Sequence, residues 1–323
     1  MLRKIVQHGP STMTVSLPTK WVKKNGVQKG DEVNLEEENN RIIVGVNKSS
    51  RKRLAEIDIT GLSRSAIMFY LRSIYRQGYD EVVIHFKNPK TIYYDLKKEE
   101  KVISVIHQEI NRLIGFEVTQ QREDFCVIKD LSGPSEGKLD IIIKRILFLL
   151  KDAIDDSVEA IKNKNYDKLE TIEEKHDTIT KFISYCLRMF NKRPDSSPEN
   201  IHGLYHILCS LDVATDTIKY FARYVIRQKP AFSKKSILIL ENLRGLSSYT
   251  REILFDLNLN KVIEFMKLRA DTKDLLDELM IEGKKKDVSL VFYLASMLEL
   301  MRDLIEAKMS ITPPKNTREI SEE

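Results

Sequence analysis

The stretch 3–46 constrains this chain most, because its pattern permits a small β unit and little else. Short runs that read as strands are separated by turn residues around Gly9, Gly30 and Asn39. Between the second and third runs, Pro18 at the start and Gly26 at the end predict one short helix. A unit of this size cannot bury much apolar surface alone. It therefore needs a partner chain or a neighbouring domain.

Positive charge is concentrated in the same part of the chain. Residues 1–53 hold 11 Lys and Arg and 5 Asp and Glu, whereas the remaining residues hold 42 and 43. The net charge of +5 is thus a property of the N-terminal end. Localised positive charge neutralises nucleic-acid phosphates, so the pattern favours DNA binding. The alternative interpretation is a solvated surface in a chain that is 31% charged.

The order of these residues resembles the AbrB/SpoVT family of swapped-hairpin DNA-binding domains. The resemblance is carried by Leu-Pro at 17–18, Gly-Val at 26–27 and Gly-Asp at 30–31. In that family, two chains interleave their hairpins, and the dimer presents basic loops and short helices to double-stranded DNA. Residues 1–47 are thus expected to form a DNA-binding domain that makes the protein a homodimer. The expected DNA-binding residues are Arg3, Lys4, Lys20, Lys23 and Lys24.

Length and composition limit what the whole chain can be. At 323 residues it is too long for one compact core, so two or three domains are expected. Its three cysteines lie far apart, which suits reduced thiols. The longest apolar run is interrupted by Lys144 and Arg145 and falls short of a membrane span. We expect a soluble cytoplasmic protein without membrane insertion.

The middle segment, 54–131, alternates between strand and helix patterns. This alternation predicts a small α/β domain in which helices pack on a sheet. The segment lacks a phosphate-binding glycine loop and a nucleophile elbow, and we expect the protein not to be an enzyme. The segment could connect domains or extend a dimer interface. The predicted elements are strands at 54–59, 81–86, 116–121 and 125–130 and helices at 63–76 and 97–113.

The segment 137–310 is helical in pattern. Six long helices joined by short loops indicate either one bundle of six or two bundles of three, and a repeated acidic pattern favours two bundles. Residues 311–323 contain two prolines and mixed charge and are expected to form a disordered tail. The predicted helices are 139–163, 166–191, 199–227, 234–257, 259–283 and 287–309.

Acidic residues recur on these helices, often four positions apart. That spacing places two carboxylates on one helix face, and residues equidistant from a turn meet at one level in antiparallel helices. Two groups of four carboxylates are expected, and a metal ion commonly compensates such groups. The alternative is a solvated charged face. The predicted metal ligands are Glu173, Asp177, Asp212 and Asp216 in one bundle and Asp271, Asp274, Glu299 and Asp303 in the other.

The helical half resembles the PhoU family of phosphate-uptake regulators. In that family, two three-helix bundles carry acidic motifs that bind metal clusters at the bundle surface. All the predicted ligands except Asp271 match those motifs, while Ala270 replaces the first acid of the remaining motif and Asp271 is a candidate substitute. The resemblance implies a metal cofactor, with iron, zinc and magnesium as candidates.

Together, the two resemblances imply a multidomain chain. Its expected parts are a swapped-hairpin β domain, a small α/β middle domain and an all-α pair of three-helix bundles. The implied function is a DNA-binding transcriptional regulator of phosphate uptake with a metal-binding sensor module. The alternative function is an adaptor that docks on the phosphate transporter's ATPase or on a sensor component and does not bind DNA.

Overall fold

The chain divides into two compact units, Met1–Lys52 and Arg53–Glu323. The computed structural model describes residues 2–38, 41–46, 52–132, 139–192, 200–282 and 288–313. The predicted tail therefore lies mostly outside the described residues, and the last helix reaches Ile311. In the described part of the chain, no helix combines the length and the apolar content that a membrane span requires.

The N-terminal unit consists of two hairpins with a short helix between them. Both hairpins are antiparallel and keep a regular register. The helix begins after Pro18 and ends at Gly26, whose φ of 62° is in the left-handed region that favours glycine. The order of elements follows the sequence prediction. The elements are β1 (Ile5–His8), β2 (Thr12–Val15), α1 (Thr19–Asn25), β3 (Val33–Glu38) and β4 (Arg41–Val46).

The second unit begins with a four-stranded sheet. Its strands are β5 (Leu54–Asp58), β6 (Glu81–His85), β9 (Phe116–Gln121) and β10 (Phe125–Asp130), in the spatial order β5-β6-β10-β9. β5 and β6 are parallel and are connected by α2 (Arg64–Arg76), whereas the other neighbours are antiparallel. The Ser63 side chain accepts a hydrogen bond from the Ala66 amide and caps α2.

The predicted helix 97–113 is only partly present. Its first part is β8 (Lys98–Lys101), which pairs with β7 (Lys90–Tyr93), and the helix α3 covers Val102–Ile110. Lys97 has a left-handed φ of 50° and makes the turn between the two strands. The charged run at 97–101 has high helix propensity, but pairing with β7 overrides it.

The six predicted helices are all present. A continuous hydrophobic core contains residues from every one of them. The first three helices contact one another, as do the last three, but α4 also packs on α7, and α6 on α9. The two expected groups of three therefore share one core. The helices are α4 (Leu139–Lys162), α5 (Thr171–Lys192), α6 (Ile201–Gln228), α7 (Lys234–Phe255), α8 (Leu259–Glu282) and α9 (Val288–Ile311).

The α/β segment is anchored to α5 by a buried arginine. The Arg188 guanidinium lies 4.7 Å from the ring of Tyr75 and 4.8 Å from that of Phe116. It donates to the Tyr75 carbonyl at 2.8 Å and to a carboxylate oxygen of Asp130 at 2.7 Å. Burial would raise the pKa of Asp130, but hydrogen bonds from Ser132, Arg188 and Lys192 hold that pKa well below its usual range.

Arg188→Ala should destabilise the second unit strongly, because it leaves the Asp130 carboxylate buried with fewer partners. The expected loss is about 3 kcal/mol in the free energy of unfolding, measured by urea denaturation. Arg122→Ala, at an exposed turn of the same segment, is the matched control and should stay within about 0.5 kcal/mol of the unsubstituted protein. Equal stability of the two variants would contradict the anchoring role.

Candidate functional site: a basic hairpin unit and an acidic helix face

The predicted DNA-binding residues are all exposed on the N-terminal unit. Lys20, Lys23 and Lys24 lie on α1 at spacings of three and four, so they share one face of that helix. Trp21 and Val22 are half-buried on the same helix. The other two predicted residues, Arg3 and Lys4, are exposed in the extended segment before β1. The unit therefore presents positive charge to solvent on α1 and in the segment before β1.

Both hairpins leave apolar side chains uncovered. None of the described residues of this unit is buried. Ile5 keeps 72% of its full exposure, Met13 67%, Leu35 64% and Ile42 71%. Apolar residues on so small a unit are normally covered by a partner. These side chains thus form an apolar surface that a second chain or a neighbouring domain could cover.

Several of the predicted metal ligands on α5 and α6 do meet at neighbouring levels. The ring of His176 bridges the two helices, with Nδ1 2.9 Å from Asp177 Oδ1 and Nε2 3.0 Å from Asp216 Oδ1. One turn further along α5, the Thr180 hydroxyl donates to Asp212 Oδ1 at 3.2 Å. α5 and α6 are thus matched across the turn, but of the four carboxylates expected at one level only Glu173 and Asp177 come together in one group of ligand atoms. His176, which was not among the predicted ligands, is the residue that joins the two sides.

Two of these acids have a basic partner within the helical half. Arg223 binds Glu173 through two parallel hydrogen bonds, one of them 2.9 Å long. Lys219, which is 7% exposed, pairs with Asp216 one turn away, and its Nζ lies 2.9 Å from His176 Nε2. The Lys219 ammonium group therefore lies beside the His176 ring, where the predicted metal ion would be expected.

The other two acids are paired with arginines of the α/β segment. Arg112, in the loop after α3, donates to Asp177 Oδ2 at 2.7 Å. Arg76, at the end of α2, donates to Asp212 Oδ2 at 2.9 Å and to the Ser184 hydroxyl at 3.0 Å. Sequence reasoning missed both arginines because they are 65 and 136 positions away from their partners and belong to a different pattern.

These contacts shift the proton affinities of the groups involved. Burial alone would lower the pKa of His176, but the hydrogen bonds to Asp177 and Asp216 outweigh it and raise that pKa above 6.5. Burial alone would raise the pKa of Asp216, but hydrogen bonds from His176 and Lys219 lower it to about 2. The histidine thus favours the charged form while Asp216 stays ionised.

The second predicted ligand set is less convergent. Asp271 and Asp274 are exposed on α8. On α9, Glu299 is paired with Arg269 at 2.5 Å and with Arg302 at 3.0 Å. Asp303, the fourth member of the set, is paired with Arg302 at 2.8 Å.

One group of potential metal ligands stands out among the described residues. Ligand atoms of Glu173, His176 and Asp177 lie within 4.8 Å of one another. A metal ion would have to compete with basic side chains for these carboxylates, and here both already have arginine partners. As they stand, these side chains do not fit a resident ion. In this structure arginine side chains compensate the charge of both carboxylates.

Comparison with known proteins bears on the N-terminal unit. The family model described as "Antidote-toxin recognition MazE, bacterial antitoxin" matches residues 7–53. The N-terminal unit is thus similar to MazE/AbrB-like domains, which supports the expected swapped-hairpin type. The PhoU resemblance of the helical half is not supported by a family match. Searches of curated proteins and of solved structures found no match.

The raised pKa of His176 predicts a pH-dependent contribution to stability. The charged ring is stabilised by Asp177 and Asp216, whereas the like charge of Lys219 disfavours its protonation. The contribution should be complete below the unfolded pKa of about 6.5 and should be lost as the pH rises through the higher folded value. His176→Gln should therefore cost more free energy of unfolding at pH 5.5 than at pH 9, in urea titrations with chelator present.

The control for this measurement is His202→Gln, an exposed histidine of the same helical half. Its effect should be small and similar at both pH values. A cost of His176→Gln that is the same at both pH values would show that the ring is not stabilised in its charged form.

Proposed function

We propose that this protein is a DNA-binding regulator that acts as a homodimer and is not an enzyme. The observation that carries the proposal is the combination found in the N-terminal unit. Exposed basic side chains lie on a unit whose hairpins leave apolar residues uncovered. The family match to residues 7–53 supports the same type of domain.

The uncovered apolar residues and the exposed basic residues of this unit support the same proposal. Pairing of two chains would cover residues such as Ile5 and Ile42 and would double the number of basic side chains on one body. Two sets of cations held at a fixed distance neutralise more phosphates than one set. Binding of this kind is tight at low salt and weakens steeply as salt rises.

The finer part of the proposal concerns the signal. We propose that the helical half acts as a PhoU-like module through which phosphate uptake is regulated, with phosphate-transporter components as candidate partners. The support is the arrangement of six helices and the acids that meet across α5 and α6. The α/β segment, which is held on α5 by Arg188, would transmit changes in the helices along the chain.

Substitution of Lys23 tests the DNA-binding part. Lys23→Ala in the full chain should weaken binding to double-stranded DNA and should reduce the slope of log affinity against log salt by about 1 for each lost phosphate contact. Affinities would be measured by fluorescence anisotropy between about 50 and 200 mM salt, the range over which such contacts dominate. Arg122→Ala, an exposed arginine outside the unit, is the control and should leave the slope unchanged. An unchanged slope for Lys23→Ala would remove this residue from the interface.

Substitution of Ile42 tests the dimer. Ile42→Lys places a charge on an apolar position that a second chain should cover, so it should shift the full chain toward monomer in analytical ultracentrifugation. Asn34→Lys adds the same side chain to the opposite face of this hairpin, where Asn34 pairs with Gly45, and is the control. If both variants sediment as the unsubstituted protein does, the uncovered hairpin face is not the dimer interface.

The family match also favours a second candidate function. The matched family is described by recognition between an antidote and a toxin. An antitoxin-like regulator would use the same dimeric unit and would have a toxin protein as its partner. The adaptor without DNA binding is the remaining alternative. A dimer that binds no DNA at about 50 mM salt would favour these protein-binding functions over the regulator.

A further inference from the structure

A continuous stripe of α5 faces the α/β segment. Asp177, Ser184 and Arg188 are spaced so that they follow one another along one side of the helix. Each of them binds that segment. Asp177 accepts a hydrogen bond from Arg112, and Ser184 accepts one from Arg76. Arg188 donates to the Tyr75 carbonyl and to the Asp130 carboxylate. The acidic residues that suggest a metal site therefore lie at one end of a docking surface.

The oxygen atoms of these acids are already engaged. Asp177 uses Oδ1 for His176 and Oδ2 for Arg112. Asp212 uses Oδ1 for the Thr180 hydroxyl and Oδ2 for Arg76. Glu173 receives two hydrogen bonds from the Arg223 guanidinium. A divalent ion would have to compete with these side chains for each of the three carboxylates.

We propose that the acidic face of α5 and α6 is a docking surface for Arg76 and Arg112 and not a resident metal site. Guanidinium groups are planar, permanently charged and able to bind carboxylates at fixed angles, so they can hold one segment on another in a defined orientation. The two arginines, together with the buried Arg188, fix the α/β segment on the helices. The partner of this surface is thus a part of the same chain.

The surface is charge-complementary along its length. At one end, α5 and α6 offer carboxylates to two arginines of the α/β segment. At the other end, Arg188 and Lys192 of α5 meet Asp80 and Asp130 of that segment. This alternation selects one orientation, because a reversed segment would place like charges together.

The test is to neutralise the acids without changing their shape. Asp177→Asn with Asp212→Asn in the full chain should raise amide hydrogen exchange in α2 and in α5 by about tenfold or more, since docking protects both helices. Asp271→Asn with Asp274→Asn is the matched control, because these predicted ligands are exposed on α8, a helix with no extensive contact to the α/β segment among the described residues. The control should leave exchange in both helices unchanged.

A titration with Mn²⁺ completes the test. The unsubstituted chain should show no saturable binding at this face tighter than about 1 mM, the weak limit for oxygen-ligand sites. Tight Mn²⁺ binding that Asp177→Asn with Asp212→Asn abolishes would overturn the proposal, as would unchanged hydrogen exchange in that variant. If the asparagine variant does not fold, Arg76→Gln with Arg112→Gln supplies the hydrogen-exchange readout from the opposite side. DNA affinity plays no part in either measurement, so the two proposals can fail separately.

Discussion

The neutralisation of one buried charge underlies the architecture of the larger unit. Arg188 is 1% exposed, and a guanidinium removed from water is tolerated only when carboxylate, carbonyl and aromatic partners replace the lost hydration. Asp130, the Tyr75 carbonyl and two aromatic rings supply those partners. Because all of them belong to the α/β segment, that segment must sit where it does for α5 to remain folded with this residue inside.

The need to compensate charge also explains how the acids of α5 and α6 are paired. Four carboxylates at neighbouring levels would repel one another, and something must compensate their charge. In this chain the compensation comes from four basic side chains, two from the helices and two from the α/β segment. Charge pairing across α5 thus helps to hold the α/β segment on the helices, and it gives the joint a single orientation.

Local signals in the sequence were sufficient for most of the fold but not for the site. Ser63 and Gly78 mark the ends of α2, and the six helices follow from their apolar spacing. The hairpin at β7 and β8 was missed because the charged residues of β8 prefer helix when taken alone, and only their pairing with β7, a few residues earlier in the chain, changes the outcome. The levels of the acids could be predicted from the turn between α5 and α6. The arginines that neutralise them could not, since no local pattern connects Arg76 with Asp212.

The distribution of paired and unpaired charge then separates the roles of the two units. On α5 and α6, the acids predicted as metal ligands have basic partners, so their charge helps to hold the chain together. In the N-terminal unit, basic residues such as Lys20 and Lys23 remain exposed, and apolar residues such as Leu35 remain uncovered. A surface can bind an external partner only with groups that internal contacts leave free. On this argument the groups left free for an outside partner lie on the N-terminal unit, whereas the acidic face of α5 and α6 holds the α/β segment on the helices.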